Sequence, residues 1–243
     1  MKIDVPFLIN NVGNCSDARL PLKDGCPERW TWSSADKSPE VQLTGRRRRT
    51  ALFHPNWSNG TAGVRGTVSL SDGGGARYWE VHLSRRIFGT SMMFGVGTRC
   101  ARIHADAFVN LLGEDAHSWG LSHKGLLWHD GTSRPYTKPF RENEATTIGL
   151  LFDPGRGTLT YFKDGHSLGI AFTGLASIDE DLFPIVCSTA AKTEMTLTLA
   201  LRTFDSLQDR CRAAVARLVG RENDIDRLPI PNQIKTYVKE VLA

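Results

Sequence analysis

A chain of 243 residues and 26.9 kDa, with 40% hydrophobic and 23% charged residues, sits near the globular average and has room for one sizeable domain plus a small appendage. Its formal charge of +4 is too small to point to nucleic acid, and no stretch approaches the ~18 consecutive apolar residues of a membrane span. Five cysteines (Cys15, Cys26, Cys100, Cys187 and Cys211), odd in number and without a C-x-x-C pair, indicate neither a disulfide framework nor a zinc site and fit a reducing, intracellular compartment, cytoplasmic or nuclear.

Residues 1–29 mix Pro, Gly, Asn and charge without a sustained period and read as a tail along the domain surface. From Trp30 to Thr203 the pattern becomes short apolar runs broken by Gly, Asp and Pro, with strands expected at 79–83, 92–96, 125–128, 148–152 and 195–199. The arginines Arg46, Arg47, Arg48 and Arg49 read as a solvated hairpin turn, with an import or phosphate-binding patch as the rival. Between Thr158 and Gly169, the Asp164-Gly165 pair predicts a tight primed turn joining two strands in a well-specified register. In Met195-Thr196-Leu197-Thr198-Leu199, the three apolar residues are expected on one face and the threonines on the other. Many strands without long helices over roughly 170 residues imply a mainly β protein, two antiparallel sheets packed face to face. No repeat recurs at a fixed period, which argues against a propeller or solenoid.

Past residue 205 the periodicity changes to helical. Leu207, Cys211, Val215 and Leu218 recur at steps of four, four and three on one stripe, with Ala214 beside them, Asp205 or Ser206 as a cap and Gly220 as a stop. A second helix is expected at 232–242, after Pro231. A segment of about 40 residues needs support to fold, and an apolar stripe of this kind suits a partner's groove. Packing on the protein's own sandwich is the alternative.

Trp79, Trp119 and Phe162 fall in strand patterns and read as core. The seven histidines show no H-E-x-x-H or other metal-ligand spacing, so surface or turn positions are expected for them and no metal or cofactor is implied. There is no G-x-S-x-G elbow, no P-loop and no complete dinucleotide loop, so nothing favours an enzyme. A lectin-like sandwich shares the architecture and stays open as an alternative.

The stretch GTLTYFKDGHSLGIAF from Gly157 to Phe172, followed by Leu182-Phe183-Pro184-Ile185-Val186, resembles the SPRY domain, a bent β-sandwich used for protein recognition. The last 38 residues resemble a SOCS box, with Ser206, Leu207, Cys211 and Val215 at the spacing of its helix and Leu228-Pro229-Ile230-Pro231 beyond. Together they resemble the SPRY domain-containing SOCS box proteins, with a tail at 1–29, a SPRY domain at 30–203 and a SOCS box at 204–243.

That resemblance implies a non-catalytic adaptor of a ubiquitin ligase. Ser206, Leu207, Cys211, Val215 and Leu218 would bind elongin C, with elongin B beside it. Leu228, Pro229, Ile230 and Pro231 would select cullin-5 with its RING partner. It also implies a peptide site built from Gly89 and Thr90, Phe108 and Leu111, and Thr189, Ala190 and Ala191, with Pro55, Asn56 and Trp57 as the facing wall. The expected ligand is a short peptide bearing Asn side chains. Phe108 stands where several members have Tyr, and Thr189-Ala190 where they have Val-Trp, which removes a hydroxyl and an aromatic wall.

Overall fold

The computed structural model describes residues 21–22, 25–72, 74–203, 207–219 and 222–242. In chain order the strands are β1 (Cys26–Pro27), β2 (Trp32–Lys37), β3 (Val41–Thr44), β4 (Thr50–Phe53), β5 (Thr61–Gly66) and β6 (Arg77–Leu83). There follow β7 (Met92–Gly97), β8 (His104–Ala105), β9 (Ser118–Ser122), β10 (Leu126–His129) and β11 (Thr132–Pro135). The remainder are β12 (Thr146–Asp153), β13 (Thr158–Lys163), β14 (His166–Phe172), β15 (Phe183–Ser188) and β16 (Thr193–Arg202). Among the described residues, three α-helices follow: α1 (Leu207–Val219), α2 (Glu222–Ile225) and α3 (Asn232–Leu242). The third has the bounds that Pro231 and the apolar period predict; α2 carries too few residues to show a period and was not foreseen.

The strands form two antiparallel sheets. One runs β14-β13-β12-β6-β16-β4-β3, with β1 on the end of β16; the other runs β11-β10-β9-β7-β15-β5-β2, with β8 on β5. Their inner faces meet in one core, where Trp30 meets Trp32 edge to face at 5.6 Å and Trp79 at 6.3 Å, above Phe53, Phe94 and Tyr161. Trp79, Trp119 and Phe162 are all buried, as their strand patterns predict. β7 reads as a continuous apolar run because both its faces are covered. Phe94 and Val96 face the main core, while Met93 joins Ile185, Cys187, Leu111 and Leu112 beneath the 98–113 segment.

Three expectations are corrected. A bulge in β16 between Leu197 and Leu199 shifts the register, so Leu199 leaves the face of Met195 and Leu197 and packs outside the sheet on Tyr78, Phe162 and Leu201. The 158–169 hairpin does turn on Asp164 and Gly165, both at positive φ (49° and 78°), but bulges interrupt its register beyond Phe162. Residues 26–27, placed in the surface tail, instead pair with Leu201 and Arg202 at the end of β16. Of the tail expectation, residues 1–20 and 23–24 lie outside the described residues. The arginine turn is as read for Arg46, Arg47 and Arg48, which are exposed between β3 and β4, but Arg49 is half-buried, and burial lowers its guanidinium from the ordinary value.

Candidate functional site

One rung of the second sheet decides where the sequence-predicted peptide residues go. Ser188, the last residue of β15, pairs with Met92 on β7 and with Ala62 on β5, so the segments entering β7, leaving β15 and entering β5 converge at that end. Thr61 pairs with Ala105 of β8, which carries the 106–112 loop to the same place.

Short bonds tie these loops together. The Ser91 amide donates to Thr189 Oγ1 at 2.9 Å, and the Thr189 hydroxyl and amide both donate to the Ser91 carbonyl, at 3.0 and 2.8 Å. Arg86 Nε donates to the Ala191 carbonyl at 3.3 Å, and the Lys192 amide to the carbonyls of Phe53 (2.8 Å) and His54 (3.0 Å). The Val109 amide donates to Thr61 Oγ1 at 2.9 Å, whose hydroxyl faces the carbonyls of Ala107 and Val109. Preorganised loops of this kind hold contact groups without further ordering cost.

At the surface stand Trp57, 84% exposed, and Phe108, 51% exposed, with Asn56, Gly89 and Thr90 also exposed and Pro55 and Ala191 half-buried. Gly89 has φ +97°, and a Cβ there would come within 3.2 Å of Thr189 Oγ1. The backbone conformation and the close approach both favour glycine.

Leu111, Thr189 and Ala190, expected to touch a ligand, are buried. Leu111 turns under its loop into the cluster of Met93 and Cys187, the Thr189 hydroxyl is taken by Ser91, and Ala190 belongs to the main core. These three shape the floor on which the exposed residues stand.

Behind the loops lie two histidines that were expected on the surface or in turns, His54 and His123, both buried. His54 follows the last residue of β4, Phe53, and precedes Pro55, while His123 sits between Ser122 and Lys124, so neither lies in an apolar alternation that would mark it as buried. His54 Nε2 lies 3.1 Å from the Ser188 carbonyl, and its Nδ1 lies 3.8 Å from Glu40. Burial pushes both imidazoles below the ordinary histidine value, outweighing the opposing pull of the Ser188 carbonyl and Glu40 on His54.

A second surface lies on α1. Leu207 is 76% and Leu218 87% exposed, with Cys211 and Ala214 exposed on the same stripe. Val215, read as part of that stripe, sits at its edge, half-buried; with Val219 it packs against Cys26, Ile225 and Val238. Arg212 lies 4.2 Å over the Tyr237 ring and binds α1 to α3. Lys239 and Lys235 hold Asp226, whose carboxyl is lowered chiefly by its hydrogen bond from Lys239.

In the tetrapeptide, Pro229 and Pro231 are exposed and Ile230 is half-buried, but Leu228 leans on the Ile225–Val238 cluster, so it is only partly available to another chain. Ser206, Asp205 and Gly220, read as helix ends and an elongin contact, lie outside the described residues.

A SPRY domain family model matches residues 76–202, and a SOCS box model matches residues 205–239. The chain belongs to the SPRY domain-containing SOCS box family. This SPRY-SOCS box protein is 35% identical over 217 residues to SPRY domain-containing SOCS box protein 3 of Xenopus laevis, covering 88% of this chain and 58% of that protein's length. It is 30% identical over 222 residues to the human SPRY domain-containing SOCS box protein 1, covering 86% and 79%. In shape it resembles the SPRY domain of human HERC1, with TM-score 0.53 and 14% identity over 68% of this chain and 96% of that one, a likeness of fold alone. Strands β2 to β5, which precede the matched SPRY segment, are nonetheless integral to both sheets. Among the described residues no helix is long and apolar enough to cross a membrane.

Proposed function

We propose that this SPRY-SOCS box protein is a non-catalytic substrate receptor of a ubiquitin ligase, joined by its C-terminal helices to elongin C, elongin B and cullin-5 with its RING partner. The observation that carries the reading is the uncovered stripe of α1: Leu207 and Leu218 face solvent while the opposite side of the helix is occupied by the protein's own cluster. Covering each leucine would contribute about 1.5–3 kcal/mol before ordering costs. A helix lying in a partner's groove is the arrangement such a face fits.

The sandwich captures a short peptide of the target, one bearing Asn side chains, at the edge formed by Trp57, Gly89, Thr90 and Phe108. The mechanism is proximity: holding the target beside a charged ubiquitin-conjugating enzyme raises the effective concentration of its lysines.

Leu207→Ala combined with Cys211→Phe is expected to abolish co-purification with elongins B and C while leaving the thermal unfolding of the sandwich unchanged. Elongin binding retained by this variant would overturn the reading.

A further inference from the structure

We propose that Cys100, His117 and Glu180 form a surface site for a divalent transition ion of the zinc class. The three residues are far apart in sequence, and the second sheet brings them together. Gly97, at the end of β7 remote from the peptide edge, pairs with Ser118 on β9 and with Phe183 on β15. Cys100 lies three residues after Gly97, His117 one before Ser118 and Glu180 three before Phe183. Three turns therefore leave one rung on adjacent strands, and each delivers one ligand.

The donor atoms of the three side chains lie within 4.8 Å of one another. Tetrahedral zinc with bonds of about 2.0–2.3 Å places its ligands roughly 3.3–3.8 Å apart. His117 Nδ1 and Glu180 Oε1 are 3.9 Å apart, too long for a hydrogen bond and close to that spacing. Cys100 and Glu180 are exposed and His117 is half-buried, so the remaining adjustment is one of side-chain rotation.

The backbone beneath is held in place. Arg65, buried and paired with Asp36, donates Nη2 to the carbonyls of Thr98, Arg99 and Ala101 at 3.1, 3.3 and 2.8 Å, which fixes the turn carrying Cys100. The Thr98 amide donates to the His117 carbonyl at 2.9 Å and joins that turn to the next.

The donor set selects the ion. Thiolate sulfur, imidazole nitrogen and carboxylate oxygen together suit zinc, whereas calcium and magnesium take oxygen ligands. One thiolate and one carboxylate balance the two charges of the ion, and three protein ligands leave a fourth position for water. Binding releases the thiol proton, so affinity rises with pH.

The test uses cobalt(II) as a spectroscopic stand-in, added to the full chain carrying Cys15→Ser and Cys211→Ser; Cys26 and Cys187 are buried. A thiolate-to-cobalt absorption saturating at one ion per chain and bleached by zinc is expected. Cys100→Ser should eliminate the absorption, and His117→Ala or Glu180→Gln should weaken cobalt affinity at least tenfold. All three variants are expected to unfold at the parent temperature without metal, since the side chains they change lie at the surface. No thiolate-to-cobalt absorption in the parent, its persistence in Cys100→Ser, or unaltered affinity in both other variants would overturn the site.

Discussion

Trp57 and Phe108 present large apolar surface on loops whose backbones are pinned elsewhere, an arrangement that concentrates binding energy in a few side chains. Trp57→Ala and Phe108→Ala are each expected to weaken target capture at least tenfold, measured by pull-down or calorimetry, with unfolding unchanged. Leu111→Ala should act differently, costing about 2–5 kcal/mol of stability because it empties a packed position. Equal stability loss from all three would mean that the exposed pair is structural. The sequence marks these residues unevenly. Phe108 and Leu111 look alike in a φ-x-x-L-L-G pattern, and only the turn of the loop over Met93 and Cys187 separates an exposed ring from a buried chain. His54 and His123 were likewise illegible, since their burial depends on strands remote in sequence. Both imidazoles are held below the ordinary histidine value, so folded protein resists the protons that unfolded chain accepts. Their contribution is complete above about pH 6.5 and declines as pH falls below it. Urea unfolding between pH 7.5 and 5 should show falling stability, and His54→Gln with His123→Gln should flatten that slope.

Among the elements, those whose signals are local were readable. The Asp164-Gly165 turn depends on two residues, and α3 on a proline and an apolar period, and both stand where the pattern puts them. The bulge in β16 was not readable, because Met195, Leu197 and Leu199 alternate faultlessly in sequence while the register with β6 slips at Thr198. Closeness between strands leaves a clearer trace. Gly95 on β7 lies so near β9 that a methyl group there would run into the Trp119 carbonyl oxygen. Gly95→Ala is therefore expected to cost about 1–3 kcal/mol in denaturant unfolding, and an unaffected midpoint would show that the two strands part easily. The stripe on α1 was legible except for Val215, which lies at its border and is drawn to the cluster around Cys26.

For the whole molecule, the mainly β sandwich with appended helices follows from composition and strand punctuation, while the sharing of one apolar cluster between β1 and the C-terminal helices depends on Cys26, a residue no period singles out. In the proposed reading the target edge and the elongin stripe have no side chain in common, so mutations in them should add without coupling. Combining Phe108→Ala with Leu207→Ala should give the sum of the single effects on peptide and elongin affinity, checked by a double-mutant cycle. A coupling well above about 0.5 kcal/mol would contradict this.

β16 gives that independence a length. Thr193 starts beside the target edge and Arg202 ends paired with Cys26 of β1, the strand that shares its apolar cluster with the C-terminal helices, so one ten-residue strand runs from one end to the other. At about 3.3 Å per residue it spans roughly 30 Å, paired with β4 over its first residues and with β6 from Met195 onward, with the bulge at Thr198 in between. On the proposed function, a captured protein would sit about that distance from the machinery at the other end. Which of its lysines is modified would then depend on how far the captured protein itself extends across that separation.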